Sequence, residues 1–147
     1  MTKLEHTLEI RAPAEKVYDY IINPELFASG FPGNVEAKKR YEGEPKAGDI
    51  FDISGQVGGR NMKMTLKFSD LVLGERVVLE GVGGDFKSFR DTTILEKTEI
   101  GTRVIETWEY EPPYSILGKI FDAIKIRKDM ENYLVEGHNK MKETLER

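Results

Sequence analysis

The chain has 147 residues, 39% of them hydrophobic and 33% charged, with a formal net charge of −4 and no cysteine. This composition fits one globular domain spanning 1–147. It excludes disulfides, thiolate nucleophiles and cysteine-ligated zinc, and it lacks the basic surplus with which nucleic-acid binders neutralise phosphates.

The N-terminal stretch carries no apolar core of the signal-peptide kind, and no apolar run reaches the length of a membrane span. A cytoplasmic location is the expectation, in keeping with the absence of cysteine. Leu4, His6, Leu8 and Ile10 alternate with Glu5, Thr7, Glu9 and Arg11, the period of a half-buried strand. Pro13 suits a first helical turn, and Val17, Tyr18, Ile21 and Ile22 then share one helical face. Asn23-Pro24 ends that helix, and Glu25 to Ser29 predicts a second short one before Gly30 and Pro32.

A meander of strands follows. Val35 to Tyr41 is the first, with a turn at Gly43 to Gly48. Ile50 to Val57 comes next, with Phe51, Ile53 and Val57 on one face, and Gly58-Gly59 marks a hairpin. Met62, Met64, Leu66 and Phe68 alternate with Lys63, Thr65 and Lys67. Arg76 to Gly81 is a further strand, with Gly83-Gly84 read as a turn. Phe86 to Glu96 and Thr102 to Glu111 complete the sheet, and Pro112-Pro113 closes it. Beyond it, Ile116, Ile120, Ala123, Met130, Leu134, Met141 and Leu145 form a helical stripe. Arg127 interrupts that stripe, which predicts a kink or break near Lys125 to Lys128.

This order predicts an α+β fold of about seven antiparallel strands. A sheet with one apolar face must bury it, and the C-terminal helix is the only large element available. A twisted sheet bent around a helix leaves a concave apolar space of the kind that takes small ligands.

Three stretches, EIRAPAEKVYDYIINPELFASGFP, GTRVIETWEYEPPYSILGKIFDAI and MENYLVEGHNKMKETLE, resemble the polyketide cyclase/dehydrase-type branch of the START-like (SRPBCC) superfamily. That superfamily includes lipid-transfer START domains, birch-pollen-allergen relatives and coenzyme Q carriers. The resemblance implies a helix-grip fold, a curved sheet wrapped around the long C-terminal helix, and a hydrophobic ligand of unspecified identity. It implies a shared cavity rather than a shared catalytic motif.

The expected cavity wall comprises Phe51, Ile53, Met62, Met64, Leu66 and Phe68 from the sheet. Trp108 and Tyr110 join them from the last strand, and Ile120, Met130 and Leu134 from the helix. Core packing alone accounts for the same spacing, although the methionines suit an adaptable cavity. Glu106 shares a face with Val104, Trp108 and Tyr110. Turned inward, its carboxyl would titrate above its ordinary value and could move protons, with Arg90 as the cation that would pull it back. Arg90 could instead hold a ligand anion, or lie outward in solvent. His138 sits at the border of the helical stripe, either as a proton shuttle or as a satisfied border histidine. His6 is far from it in sequence, and no metal site or cofactor is expected.

The leading expectation is binding or carriage of a lipid, an isoprenoid or a polycyclic aromatic. A second is a cyclase, dehydratase or hydrolase using Glu106, Arg90 and His138. A third is an interaction module of the chaperone-cofactor kind. Inward polar groups favour the enzyme, a dry pocket the carrier, and a filled cavity with an exposed apolar patch the module.

Overall fold

The structure, a computed structural model, describes residues 1–116 and 118–147. Strand β1 (Thr2–Ile10) leads into α1 (Ala14–Ile21) and α2 (Pro24–Ser29). Then come β2 (Glu36–Lys39), β3 (Ile50–Val57), β4 (Arg60–Val72), β5 (Arg76–Gly84), β6 (Phe86–Lys97) and β7 (Thr102–Pro113). A 3₁₀ turn (Tyr114–Ile116) precedes α3 (Ile120–Leu145). All strands pair antiparallel in one sheet of order β1-β7-β6-β5-β4-β3-β2, so the chain's first and last strands are neighbours. The architecture is the α+β helix grip, with α3 packed against β1 and β3 on the inner face.

Local chemistry sets the boundaries. The Asn23 side chain accepts hydrogen bonds from the backbone N–H of Glu25 and Leu26, which caps α2 just where Pro24 bars continuation of α1. Phe51, Leu66, Phe68, Leu79, Val104 and Tyr110 form the buried floor of the grip.

Three expectations are corrected. Helix α3 runs unbroken through Arg127. Its buried row is Ile126, Met130, Leu134 and His138, then Met141, and Arg127 lies beside that row in solvent, paired with Glu131 at 3.1 Å. Ile126 supplies the apolar step at the point where Arg127 interrupts the predicted stripe. Ile120 and Phe121, in the first turn, are 73% and 87% exposed, so Ile120 is not part of the buried wall. Finally, Gly83-Gly84 is not a turn. Both belong to β5, paired with Thr65 and Met64, and the register slips between Thr65 and Leu66.

Glycine is required at one of these two positions. Gly84 has φ +115°, and a Cβ there would fall 2.4 Å from the Lys63 carbonyl oxygen. Gly83 would meet only the Thr65 side chain, at 3.9 Å. Gly84→Ala is therefore expected to cost about 2 kcal/mol or more, and Gly83→Ala to stay within about 0.5 kcal/mol of wild type. Urea unfolding of the two variants measures the difference, and equal midpoints would contradict this β4–β5 register.

Candidate functional site

The inner face of the sheet places polar groups in two adjacent rows. Glu106 on β7 lies opposite His6 on β1 and Thr93 on β6. One row along, Trp108 lies opposite Leu4 and Asp91. Because side chains alternate along a strand, these residues share the face that α3 covers. His138 comes down from α3 onto that lattice.

The resulting network is almost dry. Asp91 and His138 are each 3% exposed and Glu106 is 5% exposed. His138 Nε2 lies 2.6 Å from Glu106 Oε1, and the Trp108 indole N–H donates to Glu106 Oε2 at 2.8 Å. The other ring nitrogen of His138, Nδ1, is 2.6 Å from Nδ1 of His6. The Asp91 carboxyl adjoins that of Glu106 and accepts from Thr93 Oγ1 at 3.4 Å.

Two buried carboxyls in contact cannot both be charged at low cost. Burial pushes Asp91 well above the usual carboxylate range, and the neighbouring charge of Glu106 and the hydrogen bond to it add to the shift. Burial would raise Glu106 as well. The hydrogen bond of His138, with bonds from Asp91 and Trp108, overcomes that and holds Glu106 below its ordinary value. The pair therefore keeps one proton, on Asp91. His6 is lowered, by partial burial first and by His138 second, against an opposing pull from Glu106.

A cavity of about 80 Å³ lies beside this network, between the sheet and α3. Ile53, Met62, Met64 and Leu66 line it from β3 and β4, and Phe86, Phe89 and Trp108 from β6 and β7. Phe27 and Phe31 close one side, Met130 and Tyr133 another. Among the described residues, Asp91 is the one carboxyl on its wall, whereas Glu106 and His138 face a smaller void behind Phe31. Gly137 permits the close contact of Phe31 with α3, since a Cβ there would come within 2.7 Å of the Phe31 ring. Tyr133 stacks on the other side of Phe31, with ring centroids 5.4 Å apart, and its hydroxyl donates to the Gln56 carbonyl.

The expected residues divide accordingly. Ile53, Met62, Met64, Leu66, Trp108 and Met130 meet at the cavity. Phe51, Phe68 and Tyr110 are buried in the floor away from it, and Leu134 lines the smaller void. Arg90 is exposed on the outer face, opposite Glu80 and Glu109, and no contact joins it to Glu106. The partner of Glu106 is His138 instead, through Nε2 at 2.6 Å, and Glu106 is lowered rather than raised. Asp91 and His6 were not among the expected site residues. The signal available for Asp91 was Phe89, Asp91, Thr93 and Leu95 read as the inward set of β6. Among the described residues, no group of three or more His, Cys, Asp or Glu side chains is arranged to hold a metal ion.

A family model described as polyketide cyclase / dehydrase and lipid transport matches residues 1–146. Among solved structures, a protein from Thermus thermophilus aligns with a TM-score of 0.83 at 19% identity, covering 98% of this chain and 97% of that one. The ginseng major latex-like protein 151 from Panax ginseng aligns with a TM-score of 0.74 at 14% identity, covering 98% and 97%. The ZhuI aromatase/cyclase from a Streptomyces species aligns with a TM-score of 0.69 at 13% identity, covering 95% and 93%. At these identities the likeness is one of fold. No curated protein matches in sequence.

The shared proton has a consequence for stability. Folded Asp91 retains a proton that the unfolded chain releases near pH 4, so this group makes stability fall as pH rises above that value, until Asp91 ionises in the folded state. Glu106 acts in the opposite sense, and its contribution is lost as pH falls through its lowered value. Asp91→Asn keeps a donor toward Glu106 and removes the falling arm. Between about pH 5 and pH 8, wild type should lose stability relative to this variant by at most about 1.4 kcal/mol per pH unit. Parallel urea-derived stability profiles would show that Asp91 is ionised in the folded protein.

Proposed function

The chain belongs to the polyketide cyclase/dehydrase and lipid transport family, and on that premise we propose that its cavity binds and carries a small, mostly apolar molecule. The observation that supports this reading is the wall itself, mostly apolar side chains from four strands and α3, with Ser54, Lys63 and Asp91 as its polar members besides Tyr133 among the described residues. Because burial holds Asp91 in its acid form, the wall presents no net charge from that residue to an apolar guest. The lack of cysteine fits a reducing compartment, and the cytoplasm is the proposed setting. Among the described residues, no helix is long and apolar enough to cross a membrane.

Size narrows the ligand. A volume of about 80 Å³ admits a body of only a few heavy atoms, whereas drug-sized ligands occupy roughly 300–1,000 Å³. A lipid, isoprenoid or polycyclic aromatic requires the wall to give. Met62, Met64 and Met130 are the side chains best able to yield, since unbranched thioethers repack at low cost.

A second reading, an enzyme of the cyclase or dehydratase kind, is favoured by one observation, an acid at the cavity wall backed by a carboxylate and two histidines. In that reading Asp91 takes the acid's role first expected of Glu106. Turnover is the only difference between the two readings, because both need the cavity. The interaction-module reading receives less support, since the cavity is not filled.

Native mass spectrometry of protein purified without added ligand is expected to show a retained apolar adduct. An environment-sensitive apolar dye is expected to bind at about one equivalent and to change Trp108 emission. Ile53→Trp, which fills the space from β3, should abolish dye binding at a cost of about 1–3 kcal/mol in urea-derived stability, the range for overpacking. Absence of saturable binding for dyes, fatty acids and quinones alike would overturn the proposal.

A further inference from the structure

The four polar side chains His6, His138, Glu106 and Asp91 form a connected line rather than a cluster. His6 on β1 opens on a surface recess between β1 and α3, where Lys3, Glu5, Arg127 and Glu131 surround it. From there the line runs inward through the two Nδ1 atoms 2.6 Å apart, then from His138 Nε2 to Glu106 Oε1, also at 2.6 Å, and on to Asp91 at the cavity wall. One end touches water and the other touches the cavity. The two histidine links are hydrogen bonds at 2.6 Å, and at the inner end the carboxyls of Glu106 and Asp91 adjoin. A merely structural network has no need of this order, in which each histidine nitrogen between the recess and Glu106 faces a proton acceptor or donor.

We propose that this line is a proton relay that recharges Asp91 from solvent behind the ligand, and that Asp91 is the acid that faces an oxygen of the bound molecule. The endpoint of the relay rests on the reading of the cavity as a ligand site, while its conduction does not. The chemistry fits a ligand with one acceptor oxygen, such as a ketone or quinone carbonyl, on an otherwise apolar body.

The transfer balances without any outside reagent other than water. Asp91 gives its proton to the ligand oxygen, and the electron pair of the broken O–H bond stays on Asp91. Two carboxylates now face each other, which drives the next step. Glu106 receives a proton from His138 Nε2 and passes one to Asp91. With both rings neutral and His6 Nδ1–H donating to His138 Nδ1, His138 Nδ1 takes that proton while His6 Nε2 takes one from water and leaves hydroxide, and both rings return to the starting tautomer before the next transfer. One proton enters at the surface for each one delivered in the cavity.

The groups that face the line are few. Glu106 and Trp108 come from β7, Asp91 and Thr93 from β6, His6 from β1 and His138 from α3. Arg90, on the other face of β6, plays no part.

The test follows the carboxyl proton of Asp91 in the full chain by carbon-13 NMR, using the deuterium isotope shift to read its exchange with solvent at neutral pH. Two variants break conduction while retaining a hydrogen-bond donor, His6→Gln at the partly exposed end and His138→Gln inside. A third, Ile53→Trp, blocks the cavity and leaves the line intact. The relay predicts that exchange slows at least tenfold in His6→Gln and His138→Gln and stays near the wild-type rate in Ile53→Trp. The opposite pattern, fast exchange in the histidine variants and slow exchange in Ile53→Trp, would overturn the relay, because water would then reach Asp91 through the cavity. Equal rates in all four proteins, or an ionised Asp91 at neutral pH, would also overturn it. His6→Gln guards against misfolding of the buried variant, since His6 sits at the surface recess. If no ligand binds the cavity but exchange follows the predicted pattern, the relay stands and the ligand reading falls. A ketone probe, cyclohexanone labelled at its carbonyl carbon, reads the endpoint. Its carbonyl resonance is expected to move downfield on binding to wild type and to move less in Asp91→Leu, and an equal shift in both would remove Asp91 as the donor.

Discussion

The buried carboxylate of Glu106 is the constraint on which the rest of the molecule turns. A charge taken from water into a dry interior is costly unless several donors replace its hydration. Here the donors come from three elements, His138 on α3, Trp108 on β7 and Asp91 on β6. Satisfying the charge and closing the helix onto the sheet are thus one event. The contacts around it reinforce the closure: Phe31 packs between Tyr133 and Trp108, and the Lys142 ammonium donates to the Glu9 carbonyl at 2.7 Å.

That same carboxylate determines what the cavity wall can be. With Glu106 held in its charged form by His138, Asp91 is obliged to keep its proton. The carboxyl that reaches the cavity is therefore the neutral one, and the charged member is shielded behind Trp108 and Phe31. An apolar guest and an acid can share the space because the charge has been moved one residue row away. The roles of the two carboxyls are set by their neighbours and not by their chemical type.

Much of the fold was legible in the sequence because period-two alternation is strong where one face is apolar. Strand β7 shows this: Val104, Trp108 and Tyr110 fixed the inward face, and Glu106 went inward with them. Strand β6 misled for the same reason. Its inward set includes Asp91 and Thr93, two polar residues, while Phe86 and Ile94 lie on the alternate parity. Polar groups on a buried face look like solvent-facing ones until their partners are known, and those partners lie on β7 and α3. Arg90 was a candidate and Asp91 was not because of this one-residue phase. The break expected at Arg127 failed on a narrower point, since Ile126 beside it continues the buried row. Gly83 and Gly84 read as a turn by composition, but Gly84 serves the close crossing of β5 over β4. The pairing of His6 with His138 had no local signal, because it depends on β1 and α3 meeting in space.

That pairing also bears on how the chain reaches its native state. His6 and His138 are 132 positions apart, and Glu106 lies 32 positions before His138. Contacts of such separation carry a large loop-closure entropy that must be met before they reward the chain, which slows folding of sheets built this way. The meander from β3 to β7 can zip through neighbouring hairpins, each closing a short loop. Strand β1 and helix α3 have no such local route, so the carboxylate on β7 waits for both ends of the chain. A collapsed species with a formed meander and an undocked helix would hold Glu106 wet and unpaired. The interior around Glu106 is dry only where β1 and α3 have both docked, so the site and the finished tertiary structure are inseparable.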